Sequence, residues 1–141
     1  MPLVGGSGAG NTAGSNPSGI GTSLNYIGDH AFAYSGGQGM LDADQTALEF
    51  NTQQGYLLGN FFFTGGAVSG NAGGGITTFT VTFNDDTIMV VKLETGQEQS
   101  PTFAKCNVII PSYTNVKIVV YSNLEAASLL TSANFTGRVY A

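Results

Sequence analysis

The sequence predicts an all-β fold, an eight-stranded antiparallel β-sandwich, from three observations. Short segments alternate apolar and polar side chains, the period-2 signature of a half-buried strand. Turns rich in Gly, Asn and Ser separate them. Helical periodicity is nearly absent, and the one candidate, Leu124–Leu130, is a short turn at most.

The strands follow in order. His30–Ser35 is closed by Gly36-Gly37. Thr46–Asn51 puts Leu48 and Phe50 on one face, Ala47 and Glu49 on the other. Leu57–Thr64 comes third. Ile76–Asn84 alternates cleanly, Phe79, Val81 and Phe83 against Thr78, Thr80 and Thr82. Asn84-Asp85-Asp86 is a tight turn into Thr87–Leu93, giving a hairpin. Phe103–Ile110 directs Ala104, Cys106, Val108 and Ile110 to one face, and Asn115–Ser122 carries Val116, Ile118 and Val120 inward. Asn134–Tyr140 is last. Eight short strands with such turns point to a jelly-roll-like sandwich. No internal repeat suggests a propeller or solenoid.

Residues 1–28 form a separate, extended N-terminal arm ahead of the sandwich domain, 29–141. Positions 5, 6, 8, 10, 14, 19, 21 and 28 are Gly, and no residue of the arm is charged. Such a stretch buries little, and glycine loses most backbone freedom on ordering. It is expected to lie across a neighbouring subunit or back over its own domain.

Charge removes whole classes of function. Only 9% of the 141 residues are charged, against about 25% in ordinary domains. Four Lys and Arg face nine Asp and Glu, a net charge of −5. Nucleic-acid binding needs clustered cations that displace counterions; Lys92, Lys105, Lys117 and Arg138 are few and scattered. No nucleic acid and no membrane is expected as a partner. Yet 42% of residues are hydrophobic, with nine Phe and six Tyr, so a core can form. The N-terminus lacks a basic segment followed by an apolar run, and no apolar stretch approaches the ~20 residues of a membrane span. A soluble protein made in a cytoplasm is expected.

No enzyme site emerges. Cys106 is the single cysteine and reads as a buried, inert thiol, so neither an internal disulfide nor a cysteine metal cage can form. His30 is the only histidine, which argues against zinc; as strand neighbours, it and Asp29 should point to opposite faces. Asp42 with Asp44, and Asp85 with Asp86, read as turn residues rather than a glycosidase pair or calcium loop. Gly6-Ser7-Gly8-Ala9-Gly10-Asn11 lacks the third glycine of a dinucleotide loop, with no strand before it. No metal or other cofactor is expected.

Several strands are apolar on both faces. Leu57, Leu58, Phe61, Phe62 and Phe63 fill both sides of the third. Met89, Val91 and Leu93 oppose Ile88 and Val90, and Phe103, Ile109, Val119 and Tyr121 fall opposite the core set. Soluble monomers rarely expose large contiguous apolar patches. A closed oligomer, a trimer by architectural analogy, is therefore expected, with Leu57, Phe61, Phe62, Phe63, Phe103 and Tyr121 as candidate interface residues.

The run Asn16-Pro17-Ser18-Gly19-Ile20-Gly21-Thr22-Ser23-Leu24-Asn25-Tyr26-Ile27-Gly28-Asp29-His30-Ala31-Phe32-Ala33-Tyr34-Ser35-Gly36 resembles the start of small virion proteins from marine and cyanobacterial tailed phages. Ile109-Ile110-Pro111-Ser112-Tyr113-Thr114-Asn115-Val116 and Phe135-Thr136-Gly137-Arg138-Val139-Tyr140 are similar to the same group. The resemblance implies a capsid decoration or cement protein, made in the host cytoplasm and bound to the capsid exterior. Its implied partners are the major capsid protein and itself, as a homotrimer; no site residue carries over. The alternative is a receptor- or carbohydrate-binding module of a phage fibre or tail.

Overall fold

A computed structural model describes residues 24–40, 42–65, 67–68, 75–94, 96–97, 102–123 and 126–140. Among them the chain forms strands and no helix. These are β1 (Asn25–Ile27), β2 (His30–Tyr34), β3 (Gln38–Met40), β4 (Gln45–Asn51), β5 (Tyr56–Thr64), β6 (Ala67–Val68), β7 (Ile76–Phe83), β8 (Asp86–Glu94), β9 (Gly96–Gln97), β10 (Phe103–Ile110), β11 (Asn115–Ser122) and β12 (Ala126–Tyr140). The expected strands are all present, but the count of eight is corrected upward by β1, β3, β6 and β9. These four hold two or three residues each, too few to display an alternation.

Two of the additions fall where the sequence predicted something else. Asn25–Ile27, expected within the arm, is strand β1 against β2; residues 1–23 of the arm lie outside the described residues. The expected turn Leu124–Leu130 is strand from Ala126 on, because β12 begins eight residues earlier than the expected Asn134 and pairs there with β3. Leu124 and Glu125 lie outside the description.

The long strands pair in nested fashion, first with last and inward from there. β2 pairs β12, β4 pairs β11, β5 pairs β10 and β7 pairs β8, all antiparallel. That is one long hairpin with its tip at Asn84-Asp85. Both tip residues have positive φ, +51° and +71°, as a two-residue type I′ turn requires, and Asn and Asp tolerate it. The hairpin then rolls up. β12 also pairs β5, and β11 also pairs β7, giving the orders β1-β2-β12-β5-β10 and β4-β11-β7-β8. β3 adds to the first sheet through β12, and β6 and β9 form a small parallel pair.

The two sheets enclose a phenylalanine core. Phe50 of the second sheet meets Phe135 of the first at 5.6 Å between ring centroids; Phe135 meets Phe61 at 5.4 Å; Phe63 meets Phe79, back on the second sheet, at 4.8 Å. Leu48, Leu57, Val81, Ile110, Val116 and Ile118 fill between them, each buried. One facing expectation fails: Ala47 is buried beside Leu48. The β4–β11 register skips it, Ile118 facing Leu48 and Val119 facing Thr46, so a β-bulge turns Ala47 inward. Cys106 is half-buried against the core rather than fully enclosed.

The loops that cross between sheets are fastened by Thr52, after β4. Its hydroxyl donates to the Pro111 carbonyl at 2.8 Å and accepts from the Thr114 N–H at 2.8 Å. Its backbone N–H donates to the Thr114 carbonyl at 2.9 Å.

Candidate interaction surface

Strand parity decides which candidate residues can touch another molecule. Leu57, Phe61 and Phe63 point into the sandwich and are essentially inaccessible. The sequence placed them at an interface; the structure corrects this, since both faces of β5 are apolar and these three sit on the inner one. Phe62, the residue between, points outward and stacks on Phe103 of the neighbouring strand, 5.7 Å apart with 27° between ring planes. Phe103 is 68% exposed. Tyr121 lies on the second sheet's outer face, half-buried, and donates its hydroxyl hydrogen to Asp42 Oδ1 at 2.5 Å. That hydrogen bond, before partial burial and the nearby Asp42 and Asp44 charges, raises the Tyr121 pKa. The six candidates thus divide among core, first-sheet face and second-sheet face.

The register aligns the first sheet's outer residues in rows across β10, β5, β12 and β2. Ile109, Leu58, Arg138 and His30 make one row; Asn107, Asn60, Thr136 and Phe32 the next; Lys105, Phe62, Asn134 and Tyr34 the third. Ring pairs punctuate this face. Besides Phe62 with Phe103, Phe32 meets Tyr34 at 5.5 Å and Tyr56 stacks on Tyr140 at 5.5 Å. Ile109, on the edge strand β10, is 64% exposed.

Gly28 and Asp29 close the β1–β2 hairpin, Gly28 at φ +62°. Asp29 is therefore a turn residue, and the expectation that it points away from His30 is corrected. His30 Nε2 lies 3.7 Å from Asp29 Oδ1, while Arg138 hydrogen-bonds and ion-pairs with Oδ2. The Arg138 hydrogen bond holds the Asp29 carboxyl below its ordinary range, with the charges of Arg138 and His30 acting the same way. Between the rows lies an open groove of about 450 Å³ lined by His30, Phe32, Tyr34, Asn60, Thr136 and Arg138 among others. Asn60, one of the lining residues, has its Oδ1 buried without a hydrogen-bond partner. None of these six was among the expected site residues. Alternation alone placed Phe32 on a strand, but only the register joins it to Asn60 and Thr136.

Three of the four carboxylates expected in turns are found outside strands, while Asp86, expected in the turn, is the first residue of β8 and pairs with Phe83. Asp85 occupies the β7–β8 turn, and Asp42 and Asp44 precede β4, both exposed. Among the described residues no three His, Cys, Asp or Glu side chains gather into a metal-binding group.

The fold and this face define a two-sheet antiparallel β-protein with an aromatic outer surface on one sheet. Among solved structures the chain is similar to a chain of the structure of infectious bursal disease virus, Gx strain. The identity is 12%, the TM-score 0.49, and the match covers 78% of this chain and 32% of that one; this chain thus spans about a third of the length of the one it matches. No family model matches the sequence, and no curated protein does.

Proposed function

We propose that this chain is a virion structural protein without enzymatic activity. In this reading it is a jelly roll that decorates or cements the outer surface of a tailed-phage head. It binds the major capsid protein and copies of itself as a homotrimer, with the part of the N-terminal arm that precedes β1, residues 1–23, reaching across a neighbour. The nested pairing of the long strands into two sheets supports a jelly-roll plan, and the sequence resemblance described above points the same way. One observation carries the reading. Phe62 with Phe103, and Leu58 with Ile109, form two exposed apolar patches along β5 and the edge strand β10, one on either side of the Asn60–Asn107 row, in a chain with very few charges. Apolar patches of this kind favour a contact surface, and an open sheet edge offers backbone hydrogen bonds to a partner. Several copies acting together then convert weak contacts into durable binding.

Image reconstruction of the virion should place one lobe of density per chain on the shell exterior, in threefold clusters. In the purified protein, light scattering should give the trimer mass. The double variant Phe62→Thr with Phe103→Thr should stay folded yet bind shells at least about tenfold more weakly, a change of about 1.4 kcal/mol. Shell density lacking this chain, or full binding by that variant, overturns the proposal.

A further inference from the structure

The groove on the first sheet's outer face is chemically unlike the apolar patches beside it. Phe62 and Phe103 make an apolar ledge, whereas the groove mixes two rings with an amide, a hydroxyl, an imidazole and a guanidinium. Phe32 and Tyr34 sit two residues apart on β2 with their rings 5.5 Å apart, and Tyr34 is 39% exposed. In register with Phe32 come Thr136 and then Asn60, so a ring, a hydroxyl and a carboxamide stand side by side across three strands. Arg138 and His30 close one end.

Three further observations narrow what such a groove can hold. Asn60 Oδ1 has no donor. The terminal torsion of an asparagine is soft, so a modest rotation offers this oxygen to a ligand hydroxyl, and a buried acceptor without a partner favours any ligand that supplies one. Arg138 is already engaged by Asp29, so the groove holds no unpaired guanidinium to attract an anion. Its size, about 450 Å³, falls within the ~300–1,000 Å³ of small-molecule sites.

We infer that this groove binds a neutral sugar, a hexose or N-acetylhexosamine unit of an oligosaccharide. The apolar C–H face of the pyranose lies against Phe32 and Tyr34, and its hydroxyls meet Asn60, Thr136 and the outer nitrogens of His30 and Arg138. A pyranose chair presents a patch of axial C–H groups on a ring face and hydroxyls around its edge, which matches rings and hydrogen-bonding groups alternating across a sheet. The inference goes beyond the capsid role and uses other residues, so either can fail alone.

Titration of the isotope-labelled full chain with N-acetylglucosamine trimer, maltotriose and cellotriose, followed by amide NMR, tests it. At least one should move the amide signals of Phe32, Asn60, Thr136 and Arg138, saturating below about 10 mM. Phe32→Ala should weaken that binding about tenfold or more. Thr136→Lys, which blocks the groove from an exposed position, should do the same while leaving the fold's spectrum and shell binding intact. The anionic control, 3′-sialyllactose, should bind no better than its neutral core, lactose. Silence with all three neutral sugars, shifts that map elsewhere, binding that survives both variants, or a preference for the anion would each overturn the inference. Phe62→Thr with Phe103→Thr should leave sugar binding unchanged, which separates this result from the fate of the capsid proposal.

Discussion

On the first sheet the outward positions carry Phe32, Tyr34, Leu58, Phe62 and Phe103; on the second they carry Thr46, Thr78, Thr80 and Thr82, with Val119 and Val90 in register with Thr80. Both faces use residues that favour strands, but threonine leaves a hydroxyl for water where phenylalanine leaves a ring. In a protein with 9% charged residues, threonine joins Glu49, Lys117 and Lys92, which stand in register with it, in wetting the second sheet's outer face, although Ile88 and Val90 are about half exposed there. The first sheet instead sets large rings among polar neighbours such as Asn60, Asn107, Asn134 and Thr136, and its outward apolar side chains are concentrated where β5 and β10 meet. Low charge alone therefore does not make a sticky surface; the choice between threonine and aromatic residues at outward positions does.

The largest expected effect separates inside from outside on one strand. Phe135 touches Phe50 and Phe61 from β12, and Thr136, the next residue, faces out. Phe135→Ala should cost about 3–5 kcal/mol of stability, the range for emptying a phenylalanine site in a core. Thr136→Ala should fall within about 0.5 kcal/mol of the parent. Urea unfolding of the two variants checks this, and similar losses in both would mean the outer row is structural rather than available for binding.

A smaller effect is expected where the chain passes from one sheet to the other. Thr52 is buried and its hydroxyl joins the β4–β5 loop to the β10–β11 loop. Thr52→Val keeps the shape but leaves the Pro111 carbonyl and the Thr114 N–H without that partner, at a cost of about 1–3 kcal/mol. Thermal unfolding reads the loss. Amide exchange should quicken at Thr114, whose N–H the hydroxyl accepts, more than in the strands of either face.

Much of this contrast was legible in the sequence. The alternation Phe79-Thr80-Val81-Thr82-Phe83 fixed both faces of β7, and Asn84-Asp85 announced its own turn. Apolar residues at both parities of β5 announced a surface with something to cover. Parity within one strand, however, does not say which set is inner: Leu57, Phe61 and Phe63 look no more buried than Leu58 and Phe62 until β10 and β12 are placed beside them. The bulge at Ala47, the short strands and the early start of β12 were hidden for a related reason. Each depends on partners far along the chain, and a segment such as Ala126–Thr131 carries no period of its own. The groove was hidden most completely, because His30, Asn60 and Arg138 meet only through cross-strand register.

The smallest expected effect belongs to the rim of the first face, where both ion pairs found among the described residues lie. Asp29 is held below its ordinary pKa of 3.8, first by the Arg138 hydrogen bond. A carboxyl depressed in the folded state is protonated more readily in the unfolded chain, so stability rises with pH through the interval between the two values. The stabilisation is thus fully present above about pH 4 and is lost as pH falls below 3.8 toward the folded value. Both side chains are well exposed, 40% for Asp29 and 52% for Arg138, so water and salt screen the pair and keep the effect small. Asp29→Asn should lower the melting temperature slightly at neutral pH, with the gap to the parent closing in acid and narrowing with added salt. A gap independent of both would show that Asp29 matters through its turn geometry and its backbone carbonyl, which accepts from the Val139 N–H at 2.9 Å, and that the rim of this face is held by backbone rather than by charge.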